Sequence, residues 1–173
     1  MLIRRERPGD EPSIGQVHED AFAQQYPEGT PVEPRLVDAL RASAAWIDAL
    51  SLVAVVGNVI VGHVCCTRAT LLPDGHPVLG LGPLGVRREY QSHGVGSALM
   101  HAVLGAADAL DERLVALLGH PDYYPRFGFQ PAAILGIEPE VADWAPAFQA
   151  RPLHHYQPDL RGRFQYAQPF NKL

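Results

Sequence analysis

A short glycine-bearing turn is the segment of the sequence whose residue types most clearly suggest chemistry. It runs from Gln91 to Gly96, follows an apolar strand-like segment and opens a helix whose apolar residues recur at helical spacing. The start of a helix carries several backbone N–H groups without partners and about half a positive charge, so it suits a phosphate or pyrophosphate. Gly94 and Gly96 let the backbone approach such an anion, because no Cβ stands in the way. The turn is therefore a candidate anion site.

The spacing of these glycines differs from two common nucleotide-binding patterns. A dinucleotide fingerprint requires G-x-G-x-x-G, and a nucleoside-triphosphate loop ends in Gly-Lys-Ser or Gly-Lys-Thr; the turn matches neither. It has the form Gln/Arg-x-x-Gly-x-Gly/Ala. Taken by itself, this pattern also fits a strand-to-helix turn that binds no ligand.

A second motif follows the turn, with an apolar strand at 114–118 between them. It reads Tyr-Tyr-Pro-Arg-Phe-Gly-Phe from Tyr123, and Tyr124 stands four residues before Gly128. Together the two motifs resemble the acetyl-coenzyme A loop and the tyrosine-bearing short helix of the GNAT superfamily of N-acetyltransferases. The resemblance is clear over about residues 1–130. The tail resembles a bacterial subgroup of predicted N-acetyltransferases, in which an aromatic-bearing final strand precedes a Pro-Phe pair.

The resemblance implies acetyl-coenzyme A (acetyl-CoA) as cosubstrate. The strand before the turn is expected to pair through its backbone with the pantetheine arm, and the N–H groups of the turn are expected to receive the pyrophosphate. The predicted cofactor-binding residues are Leu84, Gly85, Val86, Gln91, Ser92, His93, Gly94, Val95, Gly96 and Ser97. Many relatives carry arginine where this chain has Gln91 and His93, which reduces charge assistance in the loop.

Tyr124 is the predicted general acid, as the resemblance implies. In the superfamily an amine attacks the acetyl thioester directly in a ternary complex, without a covalent enzyme intermediate. A tyrosine of pKa about 10 stays protonated at neutral pH and can donate its proton to the departing thiolate. Tyr123 is the second candidate. The alternative is that both rings only pack against the sheet.

Other ionisable residues have simpler interpretations. His120 could line an acceptor site, although a surface histidine is an equally good interpretation. Glu28 and Glu33 could attract an amine or act as a base through water, and both are interpreted as solvated loop charges. His63 lies on a strand and is interpreted as a core or edge residue. None of the eight histidines has a partner at H-x-x-x-H spacing, so no metal site is predicted.

Composition restricts the partner and the compartment. Of 173 residues, 47% are apolar and 19% are charged, and the net charge of −5 argues against nucleic acid as a partner. The only cysteines, Cys65 and Cys66, are adjacent and should point to opposite faces of a strand, so no disulfide is expected. No apolar run approaches a membrane span, and the start lacks the apolar core of a signal peptide. We expect a cytoplasmic protein without a membrane partner.

The spacing of apolar residues and the turn-forming residues predict the helices and strands that carry the candidate site residues. Asp10 is a predicted helix N-cap, and Gly57-Asn58 is a predicted hairpin turn. Predicted helices follow residue 10 and cover 34–45, 94–109 and 121–126; predicted strands cover 1–7, 51–56, 59–70, a segment ending at 86, 113–118, a segment from 129, 147–151 and 162–167. This order predicts an α+β fold, with a mixed, mostly antiparallel sheet and helices on both faces, as in the GNAT fold.

The sequence therefore predicts one N-acetyltransferase domain over 1–173, with an acetyl-CoA-binding core at 1–130 and a proline-rich extension at 131–173 that completes the sheet. The acceptor is expected to be a primary amine on a small molecule or a peptide, in a pocket shaped by the loops at 25–34 and 131–160. Superfamily members often dimerise, so a homodimer is one expectation. Two alternatives stay open: a non-catalytic acyl-CoA sensor or interaction domain of the same fold, and an enzyme with a longer acyl chain or a non-amine acceptor.

Overall fold

A nine-stranded sheet organises the computed structural model, which describes residues 1–172. Its strands are β1 (Leu2–Arg5), β2 (Ser51–Val56), β3 (Val59–Leu72), β4 (His76–Val86), β5 (Leu114–Leu118), β6 (Gln130–Pro131), β7 (Ile137–Glu138), β8 (Phe148–Pro152) and β9 (Gly162–Gln165). They lie in the order β1-β2-β3-β4-β5-β8-β6, with β9 beside the end of β3 and β7 beside β9. Leu173 of the predicted domain lies outside the described residues.

Helices cover both faces of this sheet. They are α1 (Glu11–Phe22), α2 (Glu33–Arg41) and α3 (Val95–Ala109), and a 3-10 turn at Tyr124–Phe127 follows β5. Helix α1 packs on β3 and β4 and is joined by α2, whereas α3 packs on β2 and β3 from the opposite face. Within residues 1–172, the strand pairs are antiparallel except β4 with β5 and β7 with β9. The predicted mixed sheet with helices on both faces is confirmed.

Strand β3 contacts helices on both faces of the sheet, because its successive side chains point to opposite faces. A Cβ on Gly62 would lie 2.9 Å from the Leu99 side chain, so α3 packs directly on the backbone there. Cys66 lies in the buried cluster beneath α3, whereas Cys65 lies in the cluster beneath α2 with Leu36 and Leu40. The predicted opposite orientation of the two cysteines is confirmed. Burial raises the pKa of Cys65 to about 12.

A row of buried hydrogen bonds fixes α1 against the sheet. The Ser51 hydroxyl donates to Glu6, so it must accept from His63 Nε2, which lies 2.9 Å away. His63 Nδ1 then accepts from His18 Nε2 at 2.8 Å, which leaves His18 Nδ1 without a proton or a partner. Burial lowers the pKa of both histidines, consistent with this neutral arrangement. The bare nitrogen faces Gly85, where a Cβ would come within 2.7 Å of it.

The predicted N-cap position of Asp10 is confirmed, because helix α1 begins at Glu11. The Asp10 carboxylate, however, makes no capping bond. It accepts instead from the Arg4 guanidinium at 2.6 and 3.1 Å and from the Arg7 N–H at 2.8 Å. The bond from Arg4 is the main reason why the pKa of Asp10 is lowered. The carboxylate thus ties β1 to the start of α1.

Other predicted boundaries shift slightly. The helix predicted at 34–45 ends at Arg41, because the Ser43 hydroxyl donates to the Leu40 carbonyl at 2.7 Å and competes with helical bonding. The helix predicted at 121–126 is instead the single 3-10 turn after β5. The remaining strands and helices start or end within two residues of their predicted limits.

The proline-rich tail is part of the sheet and of its core. Strand β8 pairs with β5 along its whole length, and β9 pairs with the end of β3. The tail also contributes Phe148, Phe164 and Tyr166 to a buried cluster with side chains of β3, β4 and β5. These aromatic rings bring the end of the chain to the edge of β4.

Gly162 allows a test of how the tail docks. Its φ is +127°, and a Cβ there would collide with the Leu72 carbonyl oxygen on β3. We predict that Gly162→Ala lowers the free energy of unfolding by about 2 kcal/mol or more, because the strained backbone and the collision both oppose β9 pairing. Gly29→Ala, where nothing lies within 4 Å, is the matched control. Equal urea midpoints for the two variants would contradict this placement of β9.

Candidate active site

Strands β4 and β5 pair over only two positions, Leu79 with Val115 and Gly80 with Ala116. Beyond them β5 pairs with β8 alone, and the facing edge of β4 has no strand beside it. A register shift in the β3–β4 ladder falls at Gly82-Pro83, where β4 carries an extra residue as a β-bulge. We call the resulting gap between the two strands the notch.

The backbone of β4 presents alternate residues to the notch. The Arg87 N–H donates to the Val61 carbonyl at 2.9 Å, and hydrogen-bonded pairs alternate along an antiparallel ladder. Gly85, two residues earlier, therefore directs its N–H and C=O toward β3. Leu84 and Val86 direct theirs into the notch, and the Gln91 side-chain amide donates to the Val86 carbonyl at 2.9 Å.

The glycine turn delivers the start of α3 to the end of the notch. Ser92 and Gly94 adopt positive φ values of 62° and 83°, and α3 begins immediately after Gly94. The first N–H groups of a helix have no intrahelical partner, so those of Val95, Gly96 and Ser97 are free to bind an anion. At Gly96 a Cβ would lie 3.0 Å from the Tyr123 hydroxyl, so a larger side chain there would displace Tyr123.

A cavity of about 530 Å³, here called the loop cavity, lies over this helix start. Seven of the ten predicted cofactor-binding residues line it: Leu84, Val86, Gln91, Ser92, Gly94, Gly96 and Ser97. The other three do not. Gly85 faces β3 and His18, the Val95 side chain is buried in the core, and the exposed His93 ring lies 2.7 Å from the Gln91 carbonyl.

Arg126 lines the loop cavity and was not predicted from the sequence. Its guanidinium lies 4.6 Å from the centre of the Tyr123 ring, and its Nε donates to the Tyr123 carbonyl at 2.8 Å. Arg126 therefore supplies positive charge to a cavity whose turn carries Gln91 and His93 in place of arginine. The only sequence signal was a lone arginine within the tyrosine motif, three residues after Tyr123.

A second cavity, about 510 Å³ and here called the cleft cavity, occupies the notch itself. It shares Phe22, Gln25 and Leu84 with the loop cavity, so the two form one continuous groove. Its lining comes from the end of α1 and the residues after it, the start of α2, β4, β5 with the 3-10 turn that follows it, and the tail. The lining residues are Phe22, Gln25, Glu33, Leu36, Leu81, Gly82, Pro83, Leu84, Leu117, Leu118, Gly119, Tyr124, Trp144, Tyr166 and Phe170.

The two tyrosines of the second motif face different cavities. Tyr123 lines the loop cavity, whereas Tyr124 lines the cleft cavity. The Tyr124 ring is half-buried, with its centre 5.8 Å from that of Phe129 and its edge against Gly119. Burial, and then the proximity of Tyr123, raises the pKa of Tyr124 to about 12. The hydroxyl of Tyr124 therefore keeps its proton at neutral pH.

The structure corrects the interpretation of Glu33. It is not a solvated loop charge: it begins α2, is half-buried and lines the cleft cavity. The Tyr26 hydroxyl donates to its Oε1 at 3.3 Å, while its Oε2 is enclosed without a hydrogen-bond partner. Glu28 and His120 are exposed, and His63 is buried as interpreted.

The groove as a whole suits a long ligand with an anionic end. Free N–H groups and Arg126 could bind the anion, and Gly96 leaves room for it. The Leu84 backbone and the Val86 N–H, which have no strand beside them, could pair with an extended amide-containing arm. Among residues 1–172, no three His, Cys, Asp or Glu side chains form a cluster that could hold a metal ion. Within the same residues, no helix has the length and apolar character to cross a membrane.

Comparison with known proteins places this groove in a family. Residues 16–129 match the family model described as "Acetyltransferase (GNAT) family". The chain is 39% identical to the uncharacterized N-acetyltransferase YjhQ of Escherichia coli (strain K12) over 103 residues, which span 58% of this chain and 57% of YjhQ. It is 29% identical to the uncharacterized N-acetyltransferase YhbS of the same strain over 177 residues, which span 100% of both.

Two solved structures are similar over nearly the whole chain. The crystal structure of YhbS from Escherichia coli in complex with CoA superposes with a TM-score of 0.89 at 27% identity, over 99% of this chain and 92% of that one. A GNAT family acetyltransferase from Brucella melitensis in complex with acetyl-CoA gives 0.79 at 31% identity, over 98% and 97%. The family model spans both the glycine turn and the tyrosine motif, and this chain belongs to the acetyltransferase (GNAT) family.

Proposed function

We propose that the protein is an N-acetyltransferase that moves an acetyl group from acetyl-CoA to a primary amine by direct attack in a ternary complex. One observation carries the proposal: the free helix start, the unpaired edge of β4 and Tyr124 all line one continuous groove. The relatives crystallised with CoA and acetyl-CoA support the choice of ligand. The acetyl thioester supplies the activated acyl group when acetyl-CoA is bound.

The residues of the loop cavity would hold the anionic end of acetyl-CoA. The N–H groups at the start of α3 would receive the pyrophosphate, and Arg126 would add a charge-assisted contact. Leu84 and Val86 would pair with the pantetheine amides in place of the missing strand. Gly85 would contribute by packing rather than by pairing, since its backbone groups face β3.

Tyr124 would protonate the departing sulfur. In the reaction an N–C bond forms, the C–S bond breaks, the amine loses one proton and the sulfur gains one. A tyrosine with a pKa of about 12 is a weak acid toward a thiolate in water, whose pKa is near 8.5. Burial disfavours the charged thiolate and so strengthens it as a base. An apolar cleft therefore narrows the difference between the two pKa values.

A non-catalytic acyl-CoA sensor of the same fold is the alternative. It would retain the loop cavity and bind CoA, but it would have no need for a protonated hydroxyl in the cleft cavity. The position of Tyr124 away from the anion-binding residues favours the enzyme, because a tyrosine that only bound the cofactor phosphates would lie where Tyr123 lies.

The helix start gives a prediction for cofactor binding. Gly96→Leu places a bulky side chain, with its Cβ 3.0 Å from the Tyr123 hydroxyl, in the space the anion needs, so the Kd for CoA should rise about tenfold or more, or at least ~1.4 kcal/mol. Gly105→Leu on the same helix is the control, because nothing lies within 4 Å of its Cβ, and its Kd should match the wild type. Isothermal titration with CoA measures both. Wild-type affinity in Gly96→Leu would remove the anion site from this helix start.

The cleft cavity gives a prediction for turnover. Tyr124→Phe removes the proton donor but keeps the ring, so kcat should fall about 10²- to 10⁴-fold while the CoA affinity stays nearly unchanged. Release of free thiol from acetyl-CoA with an amine acceptor measures the rate. Tyr156→Phe, outside both cavities, should leave turnover intact. Wild-type turnover in Tyr124→Phe would exclude it as the general acid.

A further inference from the structure

The cleft cavity has a second wall that the proposed cofactor contacts do not use. It is formed by Glu33 and Leu36 of α2 and by Trp144, Tyr166 and Phe170 of the tail. The tail rings form one group, with ring centres 6.4 Å apart for Trp144 and Tyr166 and 4.5 Å apart for Tyr166 and Phe170. A molecule that lies against this wall must present an apolar surface to it.

Glu33 is the exception in this wall. It is the only acidic or basic side chain among the described residues that line the cleft cavity. Its Oε2 is enclosed, and no hydrogen-bond donor reaches it. A polar atom that is shielded from water without a partner is costly, and such atoms are rare in folded proteins unless a ligand or ordered water satisfies them.

The surroundings of Glu33 satisfy only half of its carboxylate. The Tyr26 hydroxyl donates to Oε1 at 3.3 Å, and the position in the first turn of α2 favours a negative charge. Burial, and then the charge of Glu33, raises the pKa of Tyr26, so this hydroxyl remains a donor. Oε2 therefore lacks a hydrogen-bond donor, and the ammonium of a ligand could supply one if the carboxylate turned toward the cavity.

We propose that this wall selects the acceptor, and that the acceptor is a primary amine carried on a single aromatic body, an arylalkylamine. The proposal rests on the acetyltransferase function above. The ammonium, which predominates at neutral pH, pairs with the carboxylate of Glu33, which lines the cavity, as the molecule enters. The aromatic body lies against Leu36, Trp144 and Phe170. Its ring can pack edge-to-face with the two aromatic rings, and the ammonium can add a cation–π attraction to them.

The same wall disfavours the other amine classes. A polyamine or an amino sugar carries several cations or hydroxyl groups, and the wall offers a single carboxylate to pair with them. Each further polar group would lose its water without gaining a partner. A peptide would bring backbone N–H and C=O groups to a surface of rings, at a similar cost.

The binding preference can be measured on the full chain saturated with CoA. 2-Phenylethylamine is titrated by calorimetry against the wild type, Glu33→Gln and Glu28→Gln, the last being an exposed carboxylate of the same segment. We expect the Kd to rise about 10- to 100-fold in Glu33→Gln, since a charge-assisted bond contributes roughly 1.5–3 kcal/mol, and to stay unchanged in Glu28→Gln. Titration of the wild type with 2-phenylethanol, spermidine and a short peptide with a free N-terminus completes the set.

The wild-type titrations make the test independent of how the variants fold. Tighter binding of 2-phenylethylamine than of its uncharged analogue 2-phenylethanol, of spermidine and of the peptide supports the proposal. The proposal is overturned if spermidine or the peptide binds more tightly than 2-phenylethylamine, or if uncharged 2-phenylethanol binds as tightly as the amine. It is also overturned if a folded Glu33→Gln variant binds 2-phenylethylamine with the wild-type Kd.

Thiol release separates this proposal from the proposed function. Acetylation of spermidine or of the peptide in preference to 2-phenylethylamine would keep the enzyme and overturn the acceptor class. Glu33-dependent binding of 2-phenylethylamine with no thiol release from acetyl-CoA would support the selective wall and overturn acetyl transfer.

Discussion

The early end of the β4–β5 ladder is the constraint on which the rest of the site depends. Parallel strands that stop pairing after Gly80 and Ala116 leave backbone N–H and C=O groups of β4 without partners, and such groups are costly unless something binds them. The extra residue at Gly82-Pro83 turns the strand at this point, and β8 takes the other edge of β5. The sheet therefore contains an opening that an extended ligand can complete as a strand would.

Helices α1 and α3 and the tail line different parts of this opening. The row of hydrogen bonds through His18 fixes α1 over Gly85, so Phe22 reaches both cavities from one side. Helix α3 presents its free N–H groups at one end of the groove. The tail returns to the edge of β4 and closes the other end with Tyr166 and Phe170. One end of the groove is thus rich in donors and positive charge, and the other is apolar with a single carboxylate.

The parts of the site that depend on local backbone requirements could be predicted from the sequence. The glycine turn is of this kind, because a helix start with a left-handed residue such as Gly94 is encoded within a few positions. The parts that depend on distant contacts could not. Glu33 lies in a proline-rich stretch, and the tail that helps enclose it is remote in sequence. Arg126 could not be predicted, because only the fold turns it toward the glycine turn. Gly85 was wrongly expected to pair with the cofactor, because strand register decides which backbone groups are free.

Amide hydrogen exchange, with and without CoA, tests most directly whether the notch and the helix start hold one ligand. We predict that CoA slows exchange at Leu84, Val86 and the first residues of α3, at Val95–Ser97. The Gly85 amide, which already bonds to β3, should change little and serves as an internal reference. Protection confined to other segments, or unchanged exchange at Leu84 and Val86 under saturating CoA, would contradict the account.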